Sequence, residues 1–559
     1  MNRTTTRIIL NVFFLLIFPI LTARAENECS IIGKYQINGI VENSFRTIEV
    51  IDKNKENPIL YLETRWREKA NVALRIPLSA SFLSADHLAF DIKYKAENCK
   101  RLYCIFTSVG DCEERMLRDT IELRTDTVWQ AEKKNARIRQ ARLVGVEIEA
   151  VVNSSNKAAK VWLTDFSFSN NENQAVMAST DSLLLALSSE RLLSLEELVH
   201  QSIFQCRILG IGESVHGTKD FLEMVISLIR ERIEKQQCRY VMMELPLGFS
   251  LYVNRYIHGD SHFNIGKIQS YLKRLNIDET VFLSFVDWLK TYNATHREKV
   301  SFYGFDNHAL KFQGSLELIT FFQTLFGNQP NEELERISKA LINLNNSPED
   351  TYQQIKKVGV LARKLTPTEL SLIKLSLDVF ADSLSAQQRI VYRDVFMSQI
   401  VSFVADSVAR ASETITLFGH CGHVERGIDN LGIYGGLPLG QYLHEKYGTE
   451  YSALGLMTQG GERVAINLQK KAVEQFPLTS PPPYSMEYWL SQAHQDVVYM
   501  SMERLRCEDF LYWRRSGTHV QDFHFVYVCP KVRLDGVIFV RTVKPAVLGI
   551  QSILDASKQ

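Results

Sequence analysis

The sequence predicts an α/β domain with a mostly parallel sheet and a helical insertion, preceded by an all-β sandwich domain. Three observations lead to this prediction. Short segments of alternating apolar and polar residues fill the N-terminal part, strands alternate with helical patterns further on, and residues 316–411 are almost entirely helical in period. At 559 residues the chain exceeds what one hydrophobic core usually serves, so at least two domains are expected.

The first 25 residues have the layout of a secretory signal peptide. Arg3 and Arg7 precede an apolar run from Ile8 to Leu21, and the small residues Ala23 and Ala25 follow. Cleavage after residue 25 predicts a periplasmic or secreted protein without a transmembrane anchor. The alternative is an uncleaved anchor, which the short apolar run disfavours, and no later run reaches the roughly 18 apolar residues of a spanning helix.

The charge content bears on possible binding partners, and the cysteine content bears on possible disulfides. Lys plus Arg and Asp plus Glu both number 64, and no long basic stripe is present, so nucleic acid is not an expected partner. Nine cysteines are present, and Cys99, Cys104 and Cys112 cluster while Cys29 lies upstream. Export would allow disulfides, but the spacing does not define their pairing.

Residues 26–170 are the expected sandwich domain. The segments "ILYLETRW", "HLAFDIKYK", "VGVEIEAVV" and "KVWLTDFSF" alternate without intervening helices. The last of them resembles the final strand of carbohydrate-binding jelly-roll modules. That resemblance implies a cell-envelope saccharide as a partner, with Trp66 or Trp129 in contact; the alternative is core packing or a spacer role.

A polar linker at 171–185 leads to the α/β domain at 186–559. Its predicted strands are Arg207–Ile211, Arg239–Met243, Val300–Gly304, Thr414–Phe418, Tyr451–Gly455 and Gly536–Val540. The helical insertion, at about 316–411, is expected to cover one side of the sheet.

Acids and histidines follow four of these strands: Glu213 with His216, Glu244, Asp306 with His308, and His420 with His423. Ligands of open α/β sheets bind at the carboxyl ends of the strands, so these side chains are expected to converge. Each residue alone has a plainer alternative, such as helix capping by an acid or a backbone hydrogen bond from a histidine. Glu244 ends a buried run, where an unpaired carboxylate is costly, so it needs a partner such as His216 or a metal.

The segment "TITLFGHCGHVERG" is the strongest single signal. His420 and His423, three residues apart beside two glycines, suit metal ligation or paired catalytic roles, with surface loop histidines as the alternative. Cys421 between them is either a nucleophile or a small apolar filler. Asp306, His308 and Cys421 are candidates for substrate contact. Ser214 does not fit a nucleophile elbow, because His216 stands where that turn needs glycine.

Together the segments "GESVHGTKDF", "YVMMELP", "NRYI", "VSFYGFDNH", "YRDVFMSQ" and "LFGHCGHVERG" resemble the erythromycin esterase family, from about Ser188 to the C-terminus. The resemblance implies hydrolysis of a small-molecule ester or lactone by water. It places Glu213, His216, Glu244, His420 and His423 at the family's active-site positions. His216 would be the general base, oriented by the two glutamates.

For the two later histidines the resemblance leaves two roles open. His420 and His423 would face the developing oxyanion, or would join His216 and Glu244 in holding a divalent metal. No cofactor is otherwise indicated.

Two positions depart from the family pattern. Val225 stands where the family has an arginine, and Cys421 stands where its His-Asn-x-His motif has an amide. With the added β-domain, these departures favour a saccharide-related or envelope role over antibiotic resistance. Two other hypotheses stay open: a metal-dependent amidase or peptidase, and a non-enzymatic envelope protein that binds haem, another ligand or polysaccharide.

Overall fold

The computed structural model describes residues 28–30, 47–51, 59–64, 71–82, 87–109, 116–137, 142–153, 157–169, 195–198, 200–272, 275, 277–306, 314–327, 332–342, 348–385, 392–427, 437–467, 472–478, 480–481, 485–493, 495–505, 511–518 and 523–547. The predicted signal peptide and linker, Trp66, Cys112 and His308 lie outside these residues.

The N-terminal part consists of antiparallel strands in two sheets. The strands are β1 (Glu28–Ser30), β2 (Thr47–Ile51), β3 (Ile59–Glu63), β4 (Asn71–Phe82), β5 (His87–Glu97), β6 (Cys99–Val109), β7 (Met116–Leu123), β8 (Gln130–Arg137), β9 (Arg142–Val152) and β10 (Lys160–Ser169). One sheet has the order β2-β3-β10-β5-β8 with β1 beside β10, and the other has the order β4-β9-β6-β7.

The two sheets bury a common apolar core. On β5, Ile92 and Tyr94 are buried, whereas Lys93 between them is exposed, which is the period of a half-buried strand. Phe90 of one sheet meets Phe106 of the other, with ring centroids 4.8 Å apart. The described part therefore has the sandwich architecture that the alternating segments predict.

Ten further strands follow: β11 (Ile208–Glu213), β12 (Cys238–Pro246), β13 (Ser301–Asp306), β14 (Thr414–His420), β15 (Tyr451–Asn467), β16 (Ala472–Pro477), β17 (Val497–Ser501), β18 (Leu511–Ser516), β19 (Phe523–Val528) and β20 (Gly536–Val543). The central sheet has the order β13-β12-β14-β11-β15-β20-β17, with β16 beside β15, and β18 pairs with β19 separately. Along this sheet order, every pairing between β13 and β20 is parallel. β16 pairs antiparallel with β15, and β17 pairs antiparallel with β20.

The helices of this part are α1 (Leu195–Leu198), α2 (Lys219–Lys235), α3 (Leu247–Ile257), α4 (Ile265–Leu272), α5 (Glu279–Thr295), α6 (Gly314–Phe326), α7 (Glu332–Ile342), α8 (Pro348–Lys357), α9 (Gly359–Lys364), α10 (Pro367–Ser385), α11 (Tyr392–Phe403), α12 (Cys421–Val424), α13 (Leu439–Tyr447), α14 (Met486–Leu490) and α15 (Pro530–Arg533). A π-helical turn, Val404–Val408, continues α11, and short 3₁₀ turns cover Ser202–Gln205, Gly448–Glu450, Ser491–Ala493 and Met502–Arg504.

The six strands predicted for the α/β part are confirmed, and they form the parallel section of the sheet. The described residues between α6 and the π-helical turn are helical, as expected for the insertion. The antiparallel additions β16 to β19 are not anticipated by the sequence reading. In the part of the chain described here, no helix has both the length and the apolarity to cross a membrane.

Candidate active site

Four strand ends bring the predicted residues to one edge of the sheet. β11 lies between β14 and β15, and Glu213 at its last position is in register with His420 at the last position of β14. β12 lies on the other side of β14, and its Pro246 pairs with Asp306 of β13. Because these strands run parallel, their carboxyl ends meet, and the predicted convergence is observed for the described residues.

Glu213 and His216 form a partly buried acid–imidazole pair. Glu213 Oε1 lies 2.6 Å from His216 Nδ1. The contact leaves the proton of a neutral ring on Nδ1 and the lone pair on Nε2, which no described residue hydrogen-bonds. Burial alone would lower the pKa of His216, but the hydrogen bond and charge of Glu213 outweigh it and raise that pKa. Burial raises the pKa of Glu213, and His216 partly offsets the effect.

Gly217 fixes the turn that presents His216. Its φ is +81°, and an added Cβ would lie 2.0 Å from the backbone oxygen of Val464. The carbonyl of Gly217 accepts the N–H groups of Val464 and Ala546, both at 3.0 Å. Only glycine tolerates this backbone conformation and this approach, so the glycine after His216 is explained by geometry.

Glu244 supports His420 from the neighbouring strand. Its Oε2 accepts the backbone N–H of His420 at 2.7 Å. A Cβ on Gly419 would come within 2.9 Å of the same oxygen, so glycine at 419 lets the carboxylate approach. Burial disfavours the charged carboxylate, but the neighbouring His423, Arg393 and His216 outweigh it and lower the pKa of Glu244. The predicted partner of Glu244 is thus a set of groups, and His216 contributes only by its charge.

His420 lies beside His216, with ring centroids 4.7 Å apart. Its Nδ1 accepts the backbone N–H of Gly422 at 3.3 Å. The proton of a neutral His420 ring is therefore on Nε2, which makes this nitrogen a donor. His420 is 5% exposed, so it is not one of the surface loop histidines that the sequence leaves as an alternative.

His423 belongs to a second acid–imidazole pair. Its Nδ1 lies 2.8 Å from Asp394 Oδ1, and its Nε2 accepts from Arg393 Nη1 at 3.1 Å. Asp394 Oδ1 also accepts the backbone N–H of Leu439 at 2.9 Å. With 1% of its side chain exposed and both nitrogens engaged, His423 differs sharply from His216.

Arg393, like Asp394, is a site residue to which the sequence alone assigns no role. Its Nη2 donates to Glu244 Oε1 at 2.7 Å and to Asp306 Oδ2 at 2.9 Å, and its Nε donates to Asp306 Oδ1 at 3.2 Å. Asp306 therefore holds an arginine, and the segment that it was expected to cap lies outside the described residues. The segment "YRDVFMSQ" places Arg393 and Asp394, two opposite charges, at the start of an otherwise apolar helix. This pattern is the sequence feature that indicates both residues.

The remaining candidates are placed as follows. Cys421 is 3% exposed, and burial raises the pKa of its thiol to about 12, which disfavours a thiolate nucleophile. Ser214 is 1% exposed, and no described residue hydrogen-bonds its hydroxyl. Val225 is fully buried in the apolar core on α2. Cys99 and Cys104 are free thiols among the described cysteines.

The described residues contain no group of three or more His, Cys, Asp or Glu side chains arranged to hold a metal ion. The physical reason is that candidate metal ligands already hydrogen-bond other groups of the protein. His423 already uses both ring nitrogens, and the guanidinium of Arg393 lies between the two carboxylates of Glu244 and Asp306. Of the predicted set, Glu244 and His423 are thus engaged by Arg393 and Asp394, whereas His216 and His420 are held through Nδ1.

A mostly parallel α/β sheet thus carries two carboxylate–imidazole pairs at its carboxyl edge, where open α/β sheets bind their ligands. The chain belongs to the erythromycin esterase family, whose model matches residues 233–365 and 330–543. The matched range includes Glu244, Arg393, His420 and His423, and begins after the Glu213–His216 pair.

One curated protein and two solved structures show the following similarities to this chain. The chain is 22% identical over 331 residues to an erythromycin esterase type II of Escherichia coli, covering 51% of this chain and 78% of that protein. A solved Bacillus cereus protein matches at 17% identity and a TM-score of 0.52, covering 66% of this chain and 98% of that one. A family 4 carbohydrate-binding module matches at 10% identity and a TM-score of 0.19, covering 24% of this chain and 95% of that module.

Proposed function

We propose that this protein is a hydrolase that cleaves an ester or lactone bond by direct attack of water. The observation that carries the proposal is the 2.6 Å contact between Glu213 Oε1 and His216 Nδ1, with the His420 ring 4.7 Å from that of His216. A fixed imidazole with one available nitrogen is the requirement for a general base, and a second imidazole beside it supplies a donor.

His216 takes the proton of the attacking water on Nε2. Glu213 holds the ring in the required tautomer and stabilises the imidazolium as it forms. The raised pKa of His216 makes the neutral ring a stronger base. The same nitrogen then returns its proton to the leaving alkoxide, so the reaction consumes one water and yields an acid and an alcohol.

His420 stabilises the oxyanion of the tetrahedral intermediate. Because Nδ1 accepts from Gly422, the proton of the neutral ring lies on Nε2, and this nitrogen donates to the oxyanion. Glu244 holds the backbone of His420 and so fixes the position from which the ring donates. A buried donor that is already oriented needs no reorganisation as charge develops on the substrate.

Attack by water is favoured over a covalent route by the state of the two nucleophile candidates. Ser214 is buried and lacks a base within hydrogen-bond distance among the described residues, although a nucleophilic hydroxyl needs one. Cys421 is held in its thiol form by burial. Both residues are therefore assigned to packing around the site, and Asp306 to holding Arg393.

The proposal includes export by the predicted signal peptide and a substrate in the periplasm or outside the cell. Family membership supports hydrolysis of an ester or lactone in a small molecule. The departures at Val225 and Cys421 disfavour a macrolide as the natural substrate.

The test is a panel of esters and lactones, including a macrolide, incubated with the purified protein and with His216→Ala. Loss of a general base predicts a fall in kcat of about 10²–10⁴-fold. Turnover of a panel member that disappears in His216→Ala supports the proposal. Absence of turnover across the panel, or equal activity of the variant, would transfer support to the amidase or ligand-binding hypotheses.

A second function, saccharide binding by the β-domain, is favoured by a row of aromatic side chains. Tyr61 and Trp162 are directly opposite on neighbouring strands, with ring centroids 5.2 Å apart. Lys95, opposite Trp162 on the other side, reaches over Trp162 at 4.2 Å and over Trp129 at 5.5 Å. These partly exposed rings present apolar faces beside hydrogen-bond donors, which is the chemistry that recognises a sugar ring.

Affinity electrophoresis in gels that contain a soluble β-glucan or alginate tests this second function. Trp162→Ala is expected to abolish retardation of the protein, while Tyr103→Ala, on the other sheet, is expected to migrate as wild type. Equal migration of wild-type protein with and without both polysaccharides would overturn it.

A further inference from the structure

Arg393 contacts Glu244, Asp306 and His423. Without its positive charge, the two carboxylates would repel each other. Its guanidinium donates to Glu244 Oε1 at 2.7 Å, to Asp306 Oδ2 at 2.9 Å and to His423 Nε2 at 3.1 Å. The Arg393 side chain is 20% exposed, and those of Glu244 and Asp306 are 12% and 14% exposed. Two carboxylates this close and this buried can both be ionised only with a cation between them; without one, one of them would bind a proton.

Two carboxylates and an imidazole nitrogen are also the ligand types of a divalent metal site. Here a single guanidinium contacts all three and satisfies them with directed hydrogen bonds. A metal at this position would have to displace Arg393 and break its two-point contact with Asp306.

We propose that Arg393 is the resident cation of the site, a positioning residue that takes the place between Glu244, Asp306 and His423 that a divalent metal would otherwise occupy. It holds Glu244 as an anion. It also fixes His423 with its proton toward Asp394, because the Nε2 lone pair is used to accept from Arg393.

The influence of Arg393 on the reaction passes through Glu244. One oxygen of this carboxylate accepts from Arg393 and the other accepts the backbone N–H of His420. Arg393 therefore sets the position of the His420 ring without touching the substrate. It acts on the oxyanion donor of the proposed hydrolysis, and this step rests on the proposed function.

The helical insertion thereby supplies part of the site. Arg393 and Asp394 lie in the first turn of α11, which closes the insertion, and they hold residues of β12, β13 and α12. The inserted helices are thus tied to the sheet edge at the point where the chemistry occurs.

The test compares Arg393→Met and Arg393→Lys with a matched control, Arg255→Met. Arg255 makes a two-point contact with Glu369 at 2.6 and 2.5 Å, its side chain is 19% exposed, and it also ties an insertion helix to the core. With p-nitrophenyl acetate as the probe, Arg393→Met is expected to lower kcat about 10–100-fold with little change in KM, because supporting residues act on the oriented group.

Arg393→Lys keeps the positive charge but cannot make the two-point guanidinium contact, so it is expected to recover part of the kcat lost in Arg393→Met. Arg255→Met is expected to keep kcat within about twofold of wild type despite a similar loss of stability. Equal losses of kcat in Arg255→Met and Arg393→Met would show a purely structural role and overturn the proposal.

A readout without turnover separates this inference from the proposed function. In protein with ¹⁵N-labelled histidine, long-range ¹H–¹⁵N spectra at neutral pH are expected to show His423 as the Nδ1–H tautomer and His420 as the Nε2–H tautomer. Arg393→Met is expected to change the His423 signals, and Arg255→Met to leave them as in wild type. A His423 ring with its proton on Nε2, or one divalent ion per chain in the purified wild-type protein bound at Glu244, would overturn the proposal even if esters are cleaved.

Discussion

The Glu213–His216 pair gives a quantitative prediction through Glu213→Gln. The substitution keeps the shape of the side chain and an oxygen that can accept from Nδ1, but it removes the charge. A hydrogen bond to a charged group contributes about 1.5–3 kcal/mol, compared with about 1 kcal/mol for a neutral one. The difference is about 0.5–2 kcal/mol. Since each 1.4 kcal/mol corresponds to tenfold in rate, kcat is expected to fall by about 2–30-fold.

The pH dependence provides the sharper readout. The hydrogen bond and charge of Glu213 raise the pKa of His216, and the base must be neutral to accept a proton from water. Loss of the charge lowers the His216 pKa, so the acid limb of the kcat profile is expected to move to lower pH while the plateau falls.

The assay is initial-rate hydrolysis between about pH 5 and 9, with Asp260→Asn as the control. Asp260 Oδ1 contacts His262 Nδ1 at 3.0 Å, but the His262 side chain is 61% exposed and the pair lies outside the site. An acid limb that stays in place or moves to higher pH in Glu213→Gln would refute the assignment of His216 as the base.

Three further predictions concern the surroundings of this pair. Gly217→Ala is expected to lower the free energy of unfolding by more than the roughly 1–2 kcal/mol that a left-handed alanine costs, because its Cβ would meet the Val464 oxygen at 2.0 Å. Gly259 has a similar φ of +83° but nothing within 4 Å of an added Cβ. Gly259→Ala is therefore expected to cost only the roughly 1–2 kcal/mol of the backbone conformation. Calorimetry compares them, and equal losses would contradict the argument. Cys421→Ser is expected to retain kcat within about threefold and wild-type protein to resist iodoacetamide, since burial raises the thiol pKa to about 12; rapid inactivation would contradict this. Burial raises the pKa of Glu487 from 4.5 to about 7, so the fold favours its neutral form and loses stability as pH rises through that window. Glu487→Gln should therefore be more stable than wild type at pH 8 by up to about 3 kcal/mol and equal to it near pH 4, as measured by urea unfolding; a difference independent of pH would contradict it.

The parallel part of the sheet was predictable because its strands are continuous apolar runs. Residues 208–213 are all buried, and such a run between helical patterns has few other structures available. The strands β16 to β19 were not predictable in this way. Two of them, β16 and β18, carry charged residues such as Glu474 and Arg514, and the placement of all four depends on long-range partners that a local pattern does not encode.

For the site, the sequence indicated where the acids and histidines lie in the fold. It did not indicate which of their atoms are left available for chemistry. Strand ends located Glu213, Glu244 and His420 correctly, because parallel strands deliver their carboxyl ends to one edge. Arg393 comes from a helix 149 residues after Glu244, and no periodicity links the two. Only the folded chain reveals that a charged pair at the start of α11 faces the same edge.

The two acid–imidazole pairs explain why residue type and spacing could not assign roles. Glu213–His216 and Asp394–His423 have contacts of similar length, 2.6 and 2.8 Å, and both acids bind Nδ1. The difference lies at the other nitrogen: Arg393 donates to Nε2 of His423, whereas none of the described residues hydrogen-bonds Nε2 of His216. An imidazole can move a proton to or from a substrate only through a nitrogen that the protein has left available. Under the proposed mechanism, the same pair of residue types therefore performs chemistry at one position and supports the site at the other, and Arg393 makes the difference.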